Sequence, residues 1–172
     1  WINGLKKVHF DSILKSKDIK WLNLDKKRIT EADYIDNDWD ILEFEQIKEI
    51  FKKNYFNGSG WLRNNFEIKD DAIKEFNLNL GKINTKLFTI FINGKMVYRN
   101  ESWGKQNPNT INLPENILKK GKNIIAIRLI DSWGSTGDFE KIKDFRIYNQ
   151  RKKIIGLSDQ WKFKATSYLV NQ

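Results

Sequence analysis

The sequence predicts an all-β domain, a two-sheet sandwich of the jelly-roll kind. Three observations carry that expectation. Short runs of β-branched and aromatic residues recur along the chain, which is the composition of a pleated, half-buried surface. Gly, Asn and Pro punctuate these runs at short intervals, giving roughly eight to ten strands joined by tight turns. One run, Asn123-Ile124-Ile125-Ala126-Ile127-Arg128-Leu129-Ile130-Asp131, is apolar enough at its centre to be buried on both faces.

Taken in order, residues 1–37 read as an irregular extension packed on, or leading into, a domain of residues 38–172. Within it, Ile13, Leu14 and Ile19 stand at helix-compatible spacing, and Trp21-Leu22-Asn23-Leu24 alternates like a strand. Lys26-Lys27-Arg28 reads as a solvated charge run. Residues 38–44 alternate as a strand, and residues 45–53 suggest a short helix bearing Ile47, Ile50 and Phe51. Asn57-Gly58-Ser59-Gly60 is a turn cluster feeding a strand over residues 61–68. After the turn at Lys69-Asp70-Asp71, Phe76-Asn77-Leu78-Asn79-Leu80 alternates cleanly, as a half-buried strand does.

Residues 86–92 form the next strand, and Asn93-Gly94 follows at once. Both residues accept positive φ at low cost, as a type I′ hairpin turn requires. Residues 95–98 return antiparallel. A polar loop over residues 99–109 carries Trp103-Gly104 and Pro108, and residues 110–113 make a short strand ended by Pro114. Residues 115–119 suggest one helical turn, and Gly121 lets the chain reverse into the long apolar strand. Residues 142–148, 153–157 and 161–165 complete the sheets. Trp39, Trp61 and Trp161 lie within strands and read as core. Arg63 and Arg128 fall out of the strand pattern and read as ion-paired at the sheet surface.

A chain of 172 residues, 40% of them hydrophobic, makes one ordinary domain. No apolar run approaches the ~20 residues of a membrane-spanning helix. Cysteine is absent, so no disulfide or Cys-based zinc site exists. Trp1 is not an initiator Met, which reads as a fragment or a processed chain. The 31 basic residues exceed the 22 acidic ones by nine. The lysines are dispersed and no nucleic-acid module is present, so the charge reads as a solubilising surface without a specific nucleic-acid partner.

Catalytic patterns are sparse. The one histidine, His9, stands alone, and no Gly-x-Ser-x-Gly elbow occurs; Gly134-Ser135-Thr136-Gly137 is one residue too short. Asp36 with Asp38, and Asp70 with Asp71, are acid pairs of the type glycoside hydrolysis uses, but on surface turns such pairs are far more often solvated charge. No Asp-x-Asp-x-Asp-Gly spacing marks a calcium loop. No catalytic residue, metal or cofactor is assigned. Two loop tryptophans carry the ligand expectation. Trp103, with Asn109 at the end of its loop, and Trp133, with Ser135 and Asp138, each combine an aromatic plate, glycine and short hydrogen-bonding side chains. Sugar recognition uses that mixture, stacking a ring on the pyranose C–H face and pairing its hydroxyls. The competing reading folds each indole back over the end of the sandwich.

The order of motifs resembles a known family. Asn93-Gly94, Leu113-Pro114, Lys119-Lys120-Gly121-Lys122-Asn123 and the strand over residues 125–131 stand as in the galactose-binding-like jelly-roll domain found beside glycosidase and esterase catalytic domains. Upstream, Gly60-Trp61-Leu62-Arg63-Asn64-Asn65-Phe66 and Leu80-Gly81-Lys82-Ile83 are similar to two more of its steps. Downstream, residues 155–163 resemble the exit of the branch inserted into sialate O-acetylesterases, with Ser158-Asp159 and Gln160 departing from its usual Ala-Gly and Glu. The domain also resembles the sugar-binding domain of β-galactosidase-type glycosidases. The resemblance covers residues 38–165.

It implies a non-catalytic, carbohydrate-binding-type accessory domain of a carbohydrate-active hydrolase, in an extracytoplasmic, bacterial setting. Its partner would be a glycan, acidic or sialylated, or the parent enzyme's catalytic domain. The alternative is a structural or protein-interaction sandwich with no sugar site.

Overall fold

The computed structural model describes residues 29–43, 58–69, 75–80, 87–100, 108–131, 145–149, 154–155, 157 and 160–168. The expected helices at 11–20 and 45–53 and the strand at 21–24 lie outside them. The described residues form ten strands: β1 (Asp40–Glu43), β2 (Gly58–Ile68), β3 (Phe76–Leu80), β4 (Leu87–Ile92), β5 (Lys95–Asn100), β6 (Thr110–Asn112), β7 (Gly121–Asp131), β8 (Phe145–Asn149), β9 (Ile154–Ile155) and β10 (Gln160–Tyr168). A six-stranded sheet runs β1-β10-β2-β7-β4-β5, and a four-stranded sheet runs β6-β3-β8-β9. Every pairing is antiparallel. From β3 onward the chain switches repeatedly between the sheets, as jelly rolls do. The fold is an all-β sandwich.

One core lies between the sheets. Leu62 and Phe66 of β2, Phe88 and Ile90 of β4, Ile125 and Ile127 of β7, and Trp161 and Phe163 of β10 face Leu78 and Leu80 of β3 and Ile147 of β8. Burying each such side chain stabilises the fold by about 1.5–3 kcal/mol. β3 and β8 show strict alternation of buried and half-buried residues, because their outer face meets solvent. β7 is buried continuously from Asn123 to Leu129, because the other face of its sheet is covered as well. A second cluster of Ile29, Trp39, Trp61, Phe91 and Ala126 occupies that outer face.

Two turns are built as the sequence predicts. Asn93 (φ 48°) and Gly94 (φ 81°) form the β4–β5 hairpin, and Gly121 (φ 84°) opens β7. Two local expectations fail. Residues 115–119 make no helical turn: Asn116 takes φ 59°, and Ile117 N–H donates to Pro114 O across a tight turn. A left-handed residue at that position ends any helix. The Gly58-Ser59-Gly60 turn cluster is already strand. Gly60 allows close approach there, since a Cβ on it would sit 2.9 Å from a Phe163 ring carbon.

Candidate functional site

The strand registers bring several chain segments to one end of the sandwich. β4 is antiparallel to both β5 and β7, so β5 and β7 run the same way with one strand between them. Asn100, Phe88 and Leu129 share a cross-strand row. β5 therefore ends at Asn100 beside the end of β7, about 10 Å away across β4. In the other sheet, β6 and β8 both begin beside the last residues of β3, through Asn79↔Thr110 and Leu80↔Phe145. The connections over residues 81–86, 101–109 and 132–144 thus all join this end of one sheet to the same end of the other.

Of the expected ligand residues, Asn109 is described. Its carbonyl accepts from Leu80 N–H at 2.9 Å, which continues the β3–β6 ladder by one step. That register puts it on the side of the sheet that carries Leu80 and Ile111, at the exposed rim. Trp103, Trp133, Ser135 and Asp138 lie outside the described residues, as do His9, Asp70 and Asp71.

The opposite end is closed by two asparagines. Asn93 Nδ2 donates to Asn123 Oδ1 and to Ile117 O, both at 2.8 Å. Asn123 Nδ2 donates to Lys119 O at 2.7 Å and Gly121 O at 2.9 Å, and its Oδ1 accepts from Lys119 N at 3.0 Å. Asn93 Oδ1 accepts from Ile124 N at 3.0 Å. One fully buried side chain, Asn123, thereby ties the β4–β5 hairpin to the β6–β7 connection.

The outer face of the six-stranded sheet carries the other polar constellation. Residues 29–39 cross it as a strap, from Glu31 beside Gly94 to the start of β1. Arg63, which the sequence suggested was paired at the surface, is 3% exposed beneath it. Its Nε donates to Asp36 Oδ2 at 2.9 Å. One terminal nitrogen donates to Ile29 O and the other to Glu31 O at 3.1 Å. Tyr34 and Trp39 lie 5.2 and 6.0 Å from the guanidinium carbon. Burial pushes the Arg63 pKa down, and Asp36 acts against that. Lys162 Nζ donates to Asp36 Oδ1 at 2.5 Å, and Lys164 pairs with Asp38. Arg128 is likewise buried on this face, opposite Trp61.

These pairings define what Asp36 and Asp38 do. Both oxygens of Asp36 are taken by cations, so this carboxylate serves as the counter-ion that seats the strap. Asp38 is held below the usual carboxylate range by the hydrogen bond from Lys164, and Lys164 is raised in turn. Pattern reading missed this constellation because the strap has no periodicity. A signal exists in its charge: residues 29–43 hold six carboxylates and no Lys or Arg, in a chain of net charge +9.

Among the described residues no group of three or more His, Cys, Asp or Glu could hold a metal ion. No helix among them is long and apolar enough to cross a membrane.

No family model matches the chain, and no curated protein sequence matches it. Among solved structures it is similar to Ruminococcus gnavus β-glucuronidase, at TM-score 0.38 and 18% identity over 46% of this chain and 13% of that one. The same enzyme in complex with uronic isofagomine matches at TM-score 0.36 and 14% identity, over 46% of this chain and 13% of that one. Its complex with D-glucuronic acid matches at TM-score 0.36 and 14% identity, over 46% and 14%. The matched region thus spans about an eighth of those enzymes' length.

Proposed function

We infer that this chain is a non-catalytic accessory domain of carbohydrate-binding type, belonging to a carbohydrate-active hydrolase of the sialate O-acetylesterase kind. The observation that carries the reading is the register at the loop end. β5 and β7 stop one strand apart, and each leads into a segment pairing a tryptophan with glycine and short polar side chains. The order of the turn and strand motifs supports the parent assignment and, with it, an extracytoplasmic setting. In this reading Trp103 and Trp133 stack on sugar faces, and Asn109, Ser135 and Asp138 pair with hydroxyls. The excess of lysine favours an acidic sugar.

The test is a glycan array comparing sialylated with asialo glycans, followed by titration of the best binder. Trp103→Ala or Trp133→Ala is expected to weaken binding about five- to tenfold, the value of one aromatic contact beyond its buried area, with the circular dichroism unchanged. Equal affinity in both variants and the parent would overturn the site. Turnover of an aryl acetate above background, abolished by one substitution in this chain, would overturn the non-catalytic assignment.

A further inference from the structure

The two edges of the six-stranded sheet are complementary. Among the described residues β1 and β5 are its outermost strands. The exposed large apolar side chains among them are Ile35, Ile41 and Met96, and two of these sit on the two edges. Ile41 is 63% exposed on β1, and Met96 is 48% exposed on β5.

Both belong to one cross-strand row. Ile41 opposes Lys162, Lys162 opposes Arg63, Arg63 opposes Ala126, Ala126 opposes Phe91 and Phe91 opposes Met96. Residues in a row share a face, so Ile41 and Met96 end the same row on the same outer face. The charges of the edges are opposite. β1 holds Asp40 and Glu43 with no cation, and β5 holds Lys95 and Arg99 with no carboxylate.

We propose that β1 of one copy of this chain adds to β5 of a second copy, continuing the six-stranded sheet head to tail. The strand directions permit it. The sheet has an even number of strands, all antiparallel, so a copy displaced along the sheet presents its β1 antiparallel to β5. It does so without turning the outer face over. Addition of a strand to a sheet edge extends the backbone ladder. Setting Ile41 against Met96 joins the two ends of the row. The contact is heterologous, so it propagates and does not close as a two-fold dimer. A four-residue edge makes a small interface, and association falls in the range of about 0.1–1 mM.

The experiment is sedimentation equilibrium of the chain over that range, with circular dichroism on every variant. The weight-average mass rises with concentration for the parent. Ile41→Lys disables one edge and Met96→Lys the other, and each variant alone stays monomeric; the two disabled edges repel each other. A 1:1 mixture of the two variants forms a single heterodimer and stops, since each variant retains the edge the other lacks. A parent that stays monomeric throughout overturns the proposal. Self-association that persists in either single variant points to another surface or to a symmetric dimer, and overturns it equally. A mixture that stays monomeric does the same.

Discussion

The Asp36 counter-ion is the sharpest test of how the strap is held. Replacing Asp36 with Ala removes two charge-assisted hydrogen bonds, one from Arg63 Nε at 2.9 Å and one from Lys162 Nζ at 2.5 Å. The Lys162 side chain is 29% exposed and regains water, so its share is small. The Arg63 side chain is 3% exposed and keeps its other donors on Ile29 O and Glu31 O. Its charge, however, loses its carboxylate in a buried place. Breaking a buried pair from one side costs about 3–5 kcal/mol. The two surviving carbonyl contacts put this case near the lower end, at about 3 kcal/mol. For a domain of this size that lowers Tm by roughly 6–12 °C.

Urea unfolding followed by tryptophan fluorescence reads it directly, since Trp39 of the strap packs in one cluster with Trp61 of β2. A double-mutant cycle with Arg63→Met isolates the pair, and a coupling of about 2 kcal/mol or more is expected. A loss below about 1 kcal/mol for Asp36→Ala, or zero coupling, would refute the claim that this ion pair seats the strap.

Three further outcomes follow from the geometry. Asn123→Asp keeps the shape but turns a carboxylate toward Lys119 O and Gly121 O, which now receive hydrogen bonds; a loss of about 2–4 kcal/mol in chemical denaturation is expected, and Asn123→Ala should do no worse. Gly60→Val places branched carbon where one Cβ already comes within 2.9 Å of the Phe163 ring; about 1–3 kcal/mol of overpacking should appear as a lower urea midpoint. Asp38, lowered in the folded state from 3.8, stabilises fully above that pH and loses its effect as pH falls through its folded value. The difference in melting temperature between the parent and Asp38→Asn should therefore be salt-sensitive at neutral pH and vanish in acid, which melts across pH 2–7 would show.

Strand identity was legible because the relevant physics is local. Phe76-Asn77-Leu78-Asn79-Leu80 alternates in sequence and in burial alike, and Asn93-Gly94 takes the positive φ values its turn demands. The faults lie where a residue's role is set by something distant in sequence. Arg63 and Arg128 read as surface residues but are 3% and 2% exposed, because alternation says nothing about a non-periodic segment lying over that face. Gly60 looked like a turn residue because its partner, Phe163, is over a hundred positions away. Asn116 overrode a helix-compatible stretch by a single backbone angle. The loop end was legible only in part. Composition marked its two tryptophan segments, whereas their departure from one end needed the β4–β5 and β4–β7 registers, which no single sequence displays.

Those registers also explain why recognition, on the proposed reading, belongs to one end. The inter-sheet face is core, and the opposite face of the larger sheet is occupied by the strap and its ion pairs. At the opposite end the side-chain amide atoms of Asn93 and Asn123 are engaged by each other and by backbone groups of residues 117–124. A substitution there disturbs two turns at once. At the other end the strands are anchored by ladder bonds up to Asn100, Asn109 and Asp131. On the proposed reading Trp103→Ala is therefore expected to leave the urea midpoint unchanged, while Asn123→Ala, which removes the hydrogen bonds to Asn93, Lys119 and Gly121, lowers it.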